Sequence, residues 1–178
     1  MNISIGKTER QLVIFDVNKE AFGVDIGTVR EIISMQDVTN VPGVPDFVKG
    51  VINLRGKVIP VVDLRRKLGF NSAEQTKENR IVVIGVNGQD IGVIVDAVTE
   101  VMRIPVESVV PPNSVIYTGD YEYLMGIAKL DKRLIILLDM DKVLSRTESI
   151  SITSALASAK GTKTTFDRAS EKKVTASA

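Results

Sequence analysis

Apolar positions along this chain come in short runs rich in Val and Ile, broken by polar punctuation, which is the pattern of strands rather than of long helices. Val17-Asn18-Lys19-Glu20 and Val86-Asn87-Gly88-Gln89 each sit between two such runs, and Asn-Gly readily supplies the positive φ angles of a tight hairpin. Two further hairpins are predicted to turn at Arg55-Gly56-Lys57 and at Asp131-Lys132-Arg133. Leu12-Val13-Ile14-Phe15 and Leu134-Ile135-Ile136-Leu137-Leu138 do not alternate, so burial on both faces is expected there. Asp63 and Asp139 stand where a strand gives way to a charged, Leu-bearing segment, the place and residue type of a helix N-cap. Ile26, Val29, Ile32 and Ile33 follow Asp25 at helical spacing, which predicts a short helix behind that cap.

Two stretches recur later in the chain in the same order and without gaps. LVIFDVNKEAFGVDIGTVREII from Leu12 matches IVVIGVNGQDIGVIVDAVTEVM from Ile81, with Val17/Val86, Gly23/Gly92, Val24/Val93, Val29/Val98 and Glu31/Glu100 coinciding. FVKGVINLRGKVIPVVDLRRKL from Phe47 matches YLMGIAKLDKRLIILLDMDKVL from Tyr123, with Gly50/Gly126, Leu54/Leu130, Asp63/Asp139 and Leu68/Leu144 coinciding. Each half therefore carries a hairpin, a connecting element, a second hairpin and a short helix. Short strands without long crossover helices point to antiparallel barrels rather than to a parallel α/β sheet. The expected architecture is mainly β: two small, intertwined five-stranded barrels, roughly residues 10–70 and 80–145, packed along a shared apolar seam inside one unit of residues 1–150. Residues 151–178 are rich in Ser, Thr, Ala and Lys, the composition of a polar, mobile tail to which residues 150–159 could add one helical piece.

Charge and composition narrow the function. In a chain of 178 residues, 23 Lys and Arg against 22 Asp and Glu leave a net charge of +1, too little to hold a polyanion nonspecifically. With no cysteine there is neither disulfide nor thiolate chemistry, and with no histidine the commonest general base and metal ligand are both missing. The opening residues contain no apolar run of signal-peptide length, and no segment approaches the roughly 18 apolar residues of a membrane span, so a soluble cytoplasmic protein is expected.

Candidate chemistry is sparse. No Gly-rich phosphate loop is present, so nucleotide binding has no support. Asp139-Met140-Asp141 reads as helix capping rather than a cation site, because hard cations need six or more oxygens from several directions. Asp63 with Arg65, Arg66 and Lys67 reads as the solvated first turn of a helix. Tyr117, Tyr121 and Tyr123 could stack on bases, but the interleaved cations that track a nucleic-acid backbone are missing. Arg55 carries the functional bet: the parallel turn in the second half has Asp131, and a requirement of the fold should have kept one residue type in both. Its planar, permanently charged head suits a partner carboxylate or carbonyl.

Gly50-Val51-Ile52-Asn53-Leu54-Arg55-Gly56 followed by Val58-Ile59-Pro60-Val61-Val62-Asp63-Leu64 resembles the signature of the CheW family of chemotaxis coupling proteins. Val24-Asp25-Ile26 with Val29-Arg30-Glu31-Ile32, the segment from Pro42 to Pro45, and Tyr123-Leu124-Met125-Gly126 also match, so the resemblance spans roughly residues 10 to 145. It implies two SH3-like barrels and an adaptor without catalytic residues, cofactor or metal, joining the histidine kinase CheA to the cytoplasmic helical tips of chemoreceptors. It further implies receptor binding by Val29, Glu31, Ile32 and Arg55, with Val93 and Val95 lining a groove between the barrels. The kinase's regulatory domain is expected against the first barrel, at Ile33, Val41, Pro42 and Val44. On this resemblance the protein reaches the membrane-associated array through its partners, without inserting itself. A small-barrel binder of single-stranded nucleic acid and a carboxylate hydrolase remain as rival readings, the first opposed by the balanced charge and the second by the lack of a convergent acidic cluster.

Overall fold

The computed structural model describes residues 8–111 and 123–144. Tyr117 and Tyr121 of the aromatic cluster, the helical piece over 150–159 and the tail over 151–178 lie outside the described residues. In chain order the strands are β1 (Glu9–Val17), β2 (Glu20–Asp25), β3 (Val29–Ser34), β4 (Val48–Leu54), β5 (Lys57–Asp63), β6 (Arg80–Val86), β7 (Gln89–Val95), β8 (Ala97–Pro105), β9 (Val109–Val110), β10 (Leu124–Leu130) and β11 (Arg133–Leu138). Short helices α1 (Leu64–Lys67) and α2 (Met140–Val143) follow β5 and β11.

Each of the four hairpins closes over two residues. Asn18-Lys19 (φ 54 and 66), Arg55-Gly56 (φ 51 and 83) and Asn87-Gly88 (φ 48 and 80) lie in the left-handed region, whose twist matches that of the flanking strands. Lys57 and Arg133, expected in turns, are instead the first strand residues after them, paired with Leu54 and Leu130. The side chain of Asp63 accepts a hydrogen bond from the Arg65 amide and that of Asp139 from the Asp141 amide, both at 3.1 Å, so both predicted caps form.

One sheet runs β8-β1-β2-β11-β10-β9 and the other β3-β6-β7-β5-β4. Exchanging β1, β2, β3, β4 and β5 with their repeats β6, β7, β8, β10 and β11 turns the second order into the first up to β9, so the duplication is real. The sheets nevertheless do not follow the halves. The opening hairpin of each half joins the second hairpin of the other, through the parallel pairs β2 with β11 and β5 with β7. Neither 10–70 nor 80–145 is therefore a barrel by itself. The first sheet has six strands rather than five because β9 pairs with β10 at Ile127; the matching place in the second barrel holds a single bridge, Thr39 to Val51.

The expected helix after Asp25 is one 3₁₀ turn, Ile26–Thr28, capped by Asp25, and the chain then runs on as β3. Val29, Ile32 and Ile33 are β-branched and find ladder partners on β6, which outweighs a weak helical propensity. The pairing slips between Val29 and Glu31, making Arg30 an extra residue, and slips at the same place in the repeat, where Val98 and Glu100 face Phe15 and Ile14 across Thr99.

Burial falls into three clusters. Leu12, Ile14, Ile135 and Leu137 fill one barrel, and Ile52, Ile59, Ile81 and Val83 fill the other. Between the barrels lies the largest cluster, with Val13, Phe15, Phe22 and Val24 from one sheet and Val82, Ile84, Val93 and Val95 from the other. The unalternating run from Leu12 thus sends Leu12 and Ile14 inward and Val13 and Phe15 into the seam. Leu134 departs from this scheme and is exposed, at the start of β11.

Two sets of substitutions test this packing. A Cβ at Gly50 (φ 147) would run into the backbone carbonyl of Thr39, so Gly50→Ala is expected to lower stability by about 3 kcal/mol. At Gly56 (φ 83) a Cβ meets nothing within 4 Å, and Gly56→Ala should cost only about 1 kcal/mol. Equal losses in denaturant titrations would contradict the barrel closure at Thr39. Val93→Ala, inside the seam, should cost about 2 kcal/mol, and Ile32→Ala, on the outer face of β3, less than about 1 kcal/mol. The reverse order of denaturation midpoints would mean that the seam lies elsewhere.

Candidate functional site

The slip at Arg30 decides where the side chains of β3 go. Val29 pairs opposite Ile84 and Ile32 opposite Val82, both residues of the seam cluster, so Val29 and Ile32 share the outer face of the second barrel. Glu31 and Ile33 pair opposite Val83 and Ile81, which belong to the barrel interior. Val29 is half-buried against the seam, Ile33 half-buried against the barrel interior, and Ile32 is 39% exposed beyond the seam's edge. The β3 residues expected to bind a receptor, Val29, Glu31 and Ile32, are therefore divided between two faces of the strand.

Glu31 sits at the mouth of the second barrel. Arg55, on the β4–β5 turn, donates from Nη2 to both carboxylate oxygens of Glu31, at 2.7 and 2.8 Å. The hydrogen bond to Glu31, and then its charge, raise the Arg55 pKa above its ordinary value, so the guanidinium stays charged throughout the physiological range. The Arg55 side chain is 73% exposed, and such exposed pairs orient side chains more than they stabilise a fold. Arg30, Glu31, Leu54, Arg55, Lys57 and Asp90 surround a cavity of about 370 Å³, with Ile59 and Val83 at its base. Lys57 Nζ holds Asp90 at 2.7 Å, and Arg30 Nε stands 3.7 Å from the other oxygen of the same carboxylate.

The repeat corrects part of the case for Arg55. Glu100, the counterpart of Glu31, also has an arginine partner, Arg133 at 2.6 Å, supplied from the position that matches Lys57. A glutamate tied to an arginine of the second hairpin is thus common to both barrels, although Asp131 replaces Arg55. Arg30, Lys57 and Asp90 escaped the reading of the sequence, since they converge from separate strands. The one signal for them was divergence between repeats, with Thr99 in place of Arg30 and Ala21 in place of Asp90.

Val93 and Val95 do not line an open groove. They are 2% and 1% exposed, packed within the seam, and offer no side-chain surface to a partner. Continuous apolar strands look alike in sequence whether a second sheet or a cleft covers them. Val41, Pro42 and Val44 lie on the loop between β3 and β4, with Pro42 exposed, Val41 half-buried, and Val44 packed against the seam.

Arg65 was expected on a solvated turn and is instead an inter-barrel clamp. Its side chain, 17% exposed, donates to Asp96 Oδ2 at 2.6 Å and to Asn18 Oδ1 at 3.3 Å, while the Asn18 amide donates to the same Asp96 oxygen at 2.8 Å. The β1–β2 turn of one barrel is thereby fastened to α1 and the end of β7 in the other. In the repeat the Asn87 amide donates to Asp141, the counterpart of Arg65, at 3.2 Å. Lys67 Nζ lies 4.5 Å from the centre of the Phe47 ring, a cation–π contact. Among the described residues no group of acidic side chains is placed to hold a metal ion, and no helix is long and apolar enough to cross a membrane.

Comparison with known proteins gives one consistent result. A family model described as a CheW-like domain matches residues 11–148. The chemotaxis protein CheW of Klebsiella aerogenes is 34% identical over 139 residues, covering 78% of this chain and 84% of that protein. The chemotaxis protein CheW of Thermotoga maritima is 37% identical over 136 residues, covering 76% of this chain and 88% of that protein. Among solved structures, the scaffolding protein TtCheW of Thermoanaerobacter tengcongensis superposes with a TM-score of 0.72 at 37% identity, covering 78% of this chain and 94% of that one. Twin exchanged barrels, the turn motif around Arg55 and these matches over most of the chain agree: the protein belongs to the CheW family.

Proposed function

We propose that this chain is a chemotaxis adaptor that couples the histidine kinase CheA to the cytoplasmic helical tips of chemoreceptors, and that it catalyses no reaction. Membership of a family whose named relatives are chemotaxis and scaffolding proteins supports the reading. The observation that carries it is the Glu31–Arg55 pair: a charged couple held at the mouth of a barrel, exposed on its arginine side, beside the exposed Ile32. An apolar outer strand face next to a charge couple can take the i, i+3, i+7 stripe of a helix and fix its register. With Val93 and Val95 buried, that stripe rests on the outer face of β3 rather than in the seam. Ile33, Val41, Pro42 and Val44 remain the proposed kinase contacts, with Pro42 the best presented. The proposed location is the cytoplasmic side of the membrane-associated array, reached through these partners.

Arg55→Asp is the substitution that tests this. Asp131 occupies the equivalent turn at φ 49, so the backbone accepts aspartate in that conformation. Arg55→Asp should reduce capture of a receptor-tip hairpin by roughly tenfold or more, since a repulsive charge replaces an attractive one beside Glu31, and leave the melting temperature within about 2 °C of the parent. Capture of the isolated kinase regulatory domain, measured separately, should be unaffected. Unchanged hairpin capture, or a loss that simply follows loss of stability, would refute the role given to Arg55. Failure of the parent protein to retain either partner would refute the adaptor reading as a whole.

A further inference from the structure

The mouth of the second barrel carries more positive charge than its own carboxylates offset. Three cations, Arg30, Arg55 and Lys57, face two carboxylates, Glu31 and Asp90, around the same cavity. Lys57 and Arg55 each donate a hydrogen bond to a carboxylate. Arg30 does not: it approaches Asp90 only at 3.7 Å and makes no hydrogen bond among the described residues. Its side chain is 63% exposed, yet it has a defined seat. A Cβ on Gly85 would come within 2.9 Å of Arg30 Nη2 and 3.3 Å of Arg30 Cζ, so the guanidinium lies against the bare backbone of β6. Arg30 is also the extra residue of the β3 slip, the kind of position at which a strand re-aims a side chain.

The other barrel shows that the fold requires none of this. It keeps the slip and the glutamate, but has Thr99 where Arg30 stands, Asp16 where Gly85 stands and Ala21 where Asp90 stands. A cation, the glycine that seats it and the carboxylate that offsets it are thus present together in one barrel and absent together from the other. A planar guanidinium held only by a long ion pair, without a side-chain hydrogen bond among the described residues, suits a further carboxylate, which can accept two parallel N–H bonds from it.

We propose that Arg30 is a specificity-determining residue, which makes this mouth accept an acidic side chain of the docked protein partner. The inference rests on the proposed function, in which that partner is the receptor-tip helical hairpin. The carboxylate would enter beside Arg30 and Arg55 while the apolar stripe of the same helix lies along Ile32. The partner surface therefore has to present an aspartate or glutamate next to its apolar stripe.

Charge exchange between the two proteins is the test, using the full chain and a receptor-tip hairpin whose acidic residues are each replaced in turn by arginine. Arg30→Thr, which borrows the residue of the other barrel, is expected to weaken hairpin binding by roughly threefold, and Arg30→Glu by roughly tenfold. Both should melt with the parent protein. One hairpin variant should bind the parent poorly and regain affinity for the Arg30→Glu protein, a rescue that a merely structural arginine could not produce. Equal binding by the parent and both variants, or the absence of any rescuing exchange, would overturn the role of Arg30 and leave the adaptor reading standing. If the parent itself does not bind the hairpin, both fall together.

Discussion

The apolar seam between the barrels is the interaction on which the rest depends. β1, β2, β6 and β7 are covered on both faces, with one set of side chains inside its own barrel and the other set against the opposite barrel. Each Val, Ile or Phe so buried contributes on the order of 1.5–3 kcal/mol, and these strands come from both halves of the chain. Exchange of the opening hairpins means that neither barrel is complete until both halves are in place. The clamp of Arg65, Asp96 and Asn18 works on the same junction, fixing a turn of one barrel to the helix that ends a strand of the other. Because the seam consumes the central strands, the surfaces left to meet other proteins are the edges, and β3 is one of them.

The duplication, the four hairpins, both aspartate caps and the seam were legible because each has a local chemical signature that appears twice. Exchange of hairpins has none. A hairpin that pairs within its own half and one that pairs with the other half bury the same faces, so the pattern of apolar residues is identical for both. The misread helix after Asp25 has a more specific cause. An extra residue at Arg30 shifts the phase of β3, so Val29 and Ile32 share a face three positions apart. Three-residue spacing on one face is also what a helix produces, and a strand with a slip imitates it.

The candidate site was only half legible for a related reason. Glu31 and Arg55 lie in stretches whose spelling is distinctive, so they could be picked out singly. Val93 and Val95, expected along a groove, lie within the seam instead, because an apolar strand under a second sheet and one lining a cleft have the same composition. Arg30, Lys57 and Asp90 meet through pairings of β3 with β6, β6 with β7 and β7 with β5, and no sequence spacing announces that convergence.

An internal repeat acts as a control for itself. What both copies keep answers to the fold: the slip in β3 and β8, Gly50 and Gly126, Asp63 and Asp139. What only one copy has must answer to something else, and the departures at Arg30, Arg55, Gly85 and Asp90 surround a single mouth. The two barrels share one strand order, so topology alone would not tell a docked helix which to use. Charge removes that ambiguity: an aspartate stands at the turn of one barrel where an arginine stands in the other. On the proposed reading, a carboxylate drawn to Arg30 and Arg55 at one mouth would meet Asp131 at the turn of the other, where Glu100 is already paired with Arg133, and such like-charge placement is the means by which interfaces refuse a wrong register. On the proposed function, the asymmetry that would orient the adaptor resides in a few side chains laid over a duplicated frame.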